Sequence, residues 1–168
     1  MKIYLCILDC LLFCSACQHH DRWKNINIRT GSKAYDASKL VYPATNFCHD
    51  LEIEFLYTDH KLHAYINVYA ETIQSYEEDS QVALIFLDVK GHHYDLLVDL
   101  LSGGQRLKIP EDSLNFMIGL LERYPYVTIT LWSSYRTKIN AQDFNKHFKM
   151  LKAKKLSVIS NNPIGLAL

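Results

Sequence analysis

The stretch LEIEFLYTDHKLHAYINVY, residues 51–69, decides the architecture of this chain. In its first half Leu51, Ile53, Phe55 and Tyr57 alternate with Glu52, Glu54 and Leu56. That is the period of two expected of a half-buried strand. Thr58-Asp59-His60-Lys61 reads as a turn, after which Leu62, Ala64, Ile66 and Val68 face one way and His63, Tyr65, Asn67 and Tyr69 the other. Two such runs joined by a short polar turn predict an antiparallel hairpin with one apolar face. Glu52 and Glu54 fall on its other face and read as solvent-facing.

Toward the C-terminus the same logic recurs. A polar loop, Gln74 to Gln81, leads to Val82–Val89, a near-continuous apolar run suited to a central strand covered on both faces. Lys90-Gly91 turns the chain into His92–Val98, a second hairpin. Ser102-Gly103-Gly104 lacks the longer glycine spacing and the Gly-Lys-Ser/Thr ending of a phosphate-binding loop, so it reads as a bulge or turn before a short strand, Arg106 to Ile109. Pro110, Glu111 and Asp112 open a helix that carries Leu114, Ile118 and Leu121 on one stripe and ends before Pro125. Val127, Ile129 and Leu131, then Ser133-Ser134 and Tyr135–Ile139, make a third hairpin. Asn140 can cap a last helix with Phe144, Phe148 and Leu151 inward and Lys146, Lys149, Lys152, Lys154 and Lys155 outward or at its end. The predicted fold is α+β: an antiparallel sheet or small sandwich of about three hairpins, with two helices over about 111–123 and 141–155.

Toward the N-terminus the signals change. Residues 18–47 read as a polar tether that settles into the domain through a short segment containing Leu40, Val41 and Tyr42. Pro43 argues that this segment is an edge strand, because proline cannot donate to a ladder. Ahead of it, MKIYLCILDCLLFCSAC (residues 1–17) has one basic residue, Lys2, a mostly apolar run and a Ser15-Ala16-Cys17 ending. The run is shorter than the roughly 20 apolar residues that span a bilayer and has the layout of a secretory signal. The ending resembles the lipobox of bacterial lipoproteins. The resemblance implies that Cys17 takes a diacylglyceryl group and becomes the new N-terminus, so that one partner of the protein is a membrane. Gln18 in place of Asp would by the same resemblance favour the outer membrane over the periplasmic face of the inner one. An ordinary signal cut nearby, giving a secreted or periplasmic protein, and an N-terminal strand of an unexported one remain alternatives. The expected division is a signal peptide 1–16, a tether and edge segment 17–47, a globular domain 48–156 and a tail 157–168.

Composition bounds function. Cys6, Cys10, Cys14 and Cys17 lie in the leader, which leaves Cys48 alone in the domain without a disulfide partner. The formal charge is zero, so nothing at whole-chain level calls for nucleic acid, and none is expected as a partner. Charge is nevertheless segregated: residues 50–122 hold fourteen acids and four Lys/Arg, residues 123–155 one acid and eight Lys/Arg. No motif names a reaction, no cofactor is expected, and the reading leans away from an enzyme. Tyr65 and Tyr69 on one sheet face, and Lys146, Lys149 and Lys152 on the last helix, are candidate binding residues, with an envelope protein as the expected partner. His60, His63 and His93 are the candidate metal ligands, imidazole being a preferred zinc donor. The primary expectation is thus a lipid-anchored envelope protein with a non-catalytic binding or structural domain. The alternatives are a histidine-based metal-dependent hydrolase and an intracellular interaction protein that uses its basic helix.

Overall fold

The computed structural model describes residues 22–29, 36–58, 61–131 and 135–160. Nine strands form one antiparallel sheet: β1 (Lys24–Arg29), β2 (Asp36–Tyr42), β3 (Glu52–Thr58), β4 (Lys61–Asn67), β5 (Val82–Val89), β6 (His92–Leu100), β7 (Arg106–Ile109), β8 (Tyr126–Leu131) and β9 (Arg136–Asn140). Their spatial order is β1-β2-β3-β4-β7-β6-β5-β8-β9. Among the described residues, two helices, α1 (Glu111–Arg123) and α2 (Phe144–Ser160), join the sheet in an α+β architecture. The short strand β7 pairs with β4 on one side and β6 on the other, so the described strands form one continuous sheet and not two packed ones.

Alternation fixes which face is buried. Ile53 and Phe55 of β3, Ala64 and Ile66 of β4, and Ala83, Ile85, Leu87 and Val89 of β5 are buried on the side where the helices pack. On β5 the other face, Val82, Leu84, Phe86 and Asp88, is only partly covered. That strand therefore has one buried face instead of two. Its outward apolar side chains find cover from cross-strand neighbours, Leu84 facing Leu97 and Phe86 facing Thr130. The β5–β6 turn has positive φ at both Lys90 (46°) and Gly91 (84°), the geometry whose twist matches the flanking strands. Gly104, at φ 67°, is held where a Cβ would overlap the Thr72 side chain, and its carbonyl accepts from the Ile73 N–H at 2.6 Å.

Residues read from sequence as tether and edge segment supply the first two strands. Trp23 is buried, and β2 is an interior strand, paired with β1 on one side and β3 on the other. Pro43 lies one residue beyond the last paired residue, Tyr42, so its missing N–H breaks no ladder bond. The helices follow their stripes. Leu114, Met117, Leu120 and Leu121 of α1 are buried, with Ile118 at the margin of the core, and Glu111 and Asp112 occupy the positive first turn. The last helix starts three residues later than its stripe suggested and runs on to Ser160. Asn140 Oδ1 accepts from the Gln142 N–H at 3.0 Å, and Phe144 N–H donates to Ala141 at 3.0 Å, so residues 141–143 form a capped turn. Phe144, Phe148 and Leu151 then enter the core. There Trp23 meets Tyr42 (4.9 Å between centroids) and Phe144 (5.1 Å), and Phe55 meets Phe148 (5.8 Å).

The sheet bends until its far strand reaches its first ones. The Trp23 indole N–H donates to Asn140 O at 2.8 Å. Tyr42 donates its hydroxyl to Lys138 O at 3.3 Å and accepts from Asn140 N–H at 3.1 Å. Arg136 N–H donates to His49 O at 3.2 Å, and Thr137 Oγ1 accepts from Leu51 N–H at 2.7 Å. Satisfied in this way, the outer side of β9 offers few open ladder positions.

Candidate binding face

The sheet face turned away from the helices carries the side chains that alternate out of the core. The register sets Glu54 of β3 opposite Tyr65 of β4 and Val41 of β2, Tyr65 opposite Lys108 of β7, Glu52 opposite Asn67, and Asn67 opposite Arg106. Tyr65 lies on this face, and Tyr69, two residues beyond the end of β4, reaches Glu52 on it.

Glu54 overturns its solvent-facing assignment. It is only 5% exposed, with Arg106 Nη2 3.2 Å from Oε1 and Lys39 Nζ 3.4 Å from Oε2. Alternation gives the correct face, but long cationic side chains from β2 and β7 close over the carboxylate. Burial of an ion costs several kcal/mol by order of magnitude, and the two partners offset it. Arg106 does a second job: its guanidinium carbon lies 4.0 Å from the centroid of the Tyr65 ring. Such stacking fixes both side chains.

Beside this pair sits a second cluster. Asn67 donates to Glu52 Oε1 at 3.1 Å, and the Tyr69 hydroxyl donates to the same carboxylate. Partial burial, followed by that hydrogen bond and the charges of Glu52 and Glu54, pushes the Tyr69 hydroxyl up to about 12. Phe47 meets Tyr69 edge-on at 5.1 Å while remaining 59% exposed. Its loop is braced: the Asp50 carboxylate accepts from the N–H groups of Thr45 and Asn46 (both 3.0 Å) and from the Thr45 hydroxyl, and Asn46 Oδ1 accepts from Cys48 N–H at 3.0 Å. Burial works to raise the Asp50 carboxyl; the bonds from Thr45 and Asn46, with the charge of Arg22, outweigh it and hold the group below its ordinary value. The outcome is a face on which Phe47, Tyr65, Tyr69 and Arg106 are presented in fixed positions.

Of the candidate metal ligands, His60 lies outside the described residues, as does Cys17. His63 and His93 stay apart. β7 lies between their strands, and His93 is four residues further along β6 than the level of His63, about 16 Å by strand spacing and rise. Both ring nitrogens of His93 face carboxylates, Nδ1 to Asp88 at 2.6 Å and Nε2 to Asp95 at 3.2 Å. The Asp88 bond, aided by both charges, raises the imidazole above its ordinary 6.5. Among the described residues no group of three or more His, Cys, Asp or Glu is disposed to hold a metal ion. Lys146, Lys149 and Lys152 are exposed on α2, in the helix layer, so they and the tyrosines occupy opposite sides of the molecule. Lys152 Nζ rests 4.2 Å from the Phe148 ring centroid.

Sequence reasoning missed Lys39, Phe47, Asn67 and Arg106. Phe47 gave a signal, an aromatic residue isolated among Thr45, Asn46, Cys48 and His49; the others gave none without the register. Comparison with protein-family models, curated proteins and solved structures finds no match.

Proposed function

We propose that this protein is an exported lipoprotein, anchored through Cys17, whose open sheet face binds a protein partner at the cell envelope. The observation that carries the binding half is the fixed array of Phe47, Tyr65, Tyr69 and Arg106 on a face that neither described helix covers. Tyrosine and arginine dominate the energetics of protein interfaces, and groups already held in place lose little entropy on binding. The anchor half rests on the Ser15-Ala16-Cys17 ending and the polar stretch that follows it. A histidine-based hydrolase loses support, since His63 and His93 stand about 16 Å apart.

Two measurements test the halves separately. The intact mass of the protein from native membranes, against a Cys17→Ser variant, should show a chain that begins at Cys17 and carries acyl groups absent from the variant. An unmodified chain in the soluble fraction, still holding the leader, overturns the anchor. For the face, a photo-crosslinking residue at Phe47 should yield one discrete protein adduct in cells, lost with Arg106→Ala, while the same residue at Met150 in the helix layer yields none of it. Equal adducts from both positions, or none, overturn the assignment.

A further inference from the structure

The strand β7 ends too early for its neighbours. It covers β4 only along Ala64–Asn67 and β6 only at Asp99 and Leu100. Beyond it β4 continues to Lys61 and β6 to His92, and no strand of the described residues lies between them. Hydrogen-bond parity shows what this leaves open. Leu100 N–H donates to Gln81 O on the β5 side, Leu101 N–H to Arg106 O on the β7 side. Main-chain groups alternate between the two sides of a strand in such a ladder. Those of His93, Asp95 and Leu97 therefore face the line of β7. Val68 N–H donates to Gln105 O, so on β4 the groups of Leu62 face that line too. Past Ile109 the chain offers Pro110, which has no N–H, and then turns into α1.

The side chains report the same gap. Ile85 and Leu87 of β5 are fully buried, yet Leu96 and Tyr94, opposite them on β6, are only partly covered. So is Leu62, two residues from the fully buried Ala64. A cavity of about 500 Å³ opens here, with Leu62, Ile109 and Leu114 toward the helices and Lys61, His63 and Lys108 toward the open face. Two strand spacings, about 9.6 Å, separate β4 from β6, which is room for one more strand. Extending the register of β7, such a strand turns one side chain outward between Lys61 and Asp95. Its neighbours turn inward, one between Leu62 and Leu96, the other beside Tyr94. Lys61 on one side and Asp95, already met by His93, on the other favour neither sign of charge at the outward position.

The chain contains a segment of this pattern. NNPIGLAL, residues 161–168, lies outside the described residues; in it Ile164, Leu166 and Leu168 alternate with Gly165 and Ala167, and no residue is charged. Its point of attachment is at the right end of the sheet. The helix α2 starts beside Trp23, meets Asn25 at His147 and Phe55 at Phe148, and so runs toward the end where β3 turns into β4. Residues 161–168 reach up to about 26 Å from Ser160 at full extension. We propose that residues 164–168 enter this slot in their own molecule and add a short strand between β4 and β6. The docking uses neither Cys17 nor Phe47, Tyr69 or Arg106, so it stands apart from the function proposed above.

Amide exchange tests it, because parity separates two sets of N–H groups on one strand. Tyr94 and Leu96 donate to β5 whatever the tail does, whereas His93 and Asp95 have a ladder acceptor only when the slot is filled. In the full chain all four should exchange slowly. With the chain ended at Ser160, His93 and Asp95 should exchange at least about tenfold faster, while unchanged Tyr94 and Leu96 show that the sheet is intact. Leu166→Asp should act as the truncation does, and a synthetic peptide of residues 161–168 should restore slow exchange to the truncated chain. Fast exchange at His93 and Asp95 in the full chain, or rates unmoved by truncation, overturns the proposal. So does protection that grows with protein concentration, the mark of a strand lent by a second copy.

Discussion

Phe55 and Glu54 are adjacent on β3, both nearly inaccessible to water, and hidden by different physics. Phe55 points into the layer between sheet and helices, where Trp23, Phe144 and Phe148 surround it. Glu54 points to the face opposite the described helices and is hidden by two cations, Lys39 of β2 and Arg106 of β7. Burial of the first kind lowers the free energy of folding through apolar area and dispersion. The second contributes little net stability, because desolvation cancels most of the attraction, but it fixes the positions of groups that a partner can meet. One strand thus serves the core with one face and presents a surface with the other.

The largest expected effect tests the helix-side face. Phe55→Ala should cost about 3–5 kcal/mol in urea unfolding, as truncated buried aromatics do. On the other face Arg106→Met should cost about 2 kcal/mol, less than a fully buried pair, because Lys39 remains on Glu54 and Arg106 is partly in solvent. Adding Glu54→Leu should bring the protein back to within about 1 kcal/mol of the parent, since the stranded carboxylate is then gone. A double variant worse than Arg106→Met alone would show that the ion pair is itself stabilising and would erase the contrast.

The smallest effect is a matter of pH. The Tyr69 hydroxyl binds its proton more tightly in the folded protein than at the ordinary 10.0 of the unfolded chain. Stability linked to it is therefore complete below pH 10 and lost as pH rises toward about 12. Ultraviolet titration should show a tyrosine ionising at about 12, and Glu52→Gln should draw it down. An unchanged midpoint in that variant would detach Tyr69 from the Glu52 cluster.

The helix-side face was legible in the sequence, because apolar alternation and helical stripes are local patterns read within ten residues. Ile53, Phe55, Ala64 and Ile66, and Phe144, Phe148 and Leu151, are buried as their spacing implied. The open face was not, since its partners are far apart in the chain: Lys39 is 15 residues from Glu54 and Arg106 is 52. The strand β1 escaped for another reason. Its pattern is inverted, with Ile26 turned to the open face at 39% exposure and Asn25 toward the helices, where its amide pairs with His147 through both ends. A polar residue facing a core reads as a loop until the partner that satisfies it is known.

The bonds from Trp23 to Asn140 and from Tyr42 to Lys138 span 117 and 96 residues. Contacts of such range are made late, after the intervening chain has been drawn in, and slow the search for the native state. The first strands can therefore be completed only when the last strand and α2 have emerged. A nascent chain of this sequence therefore cannot close the junction of Trp23 and Tyr42 with β9 until residue 140 has been made.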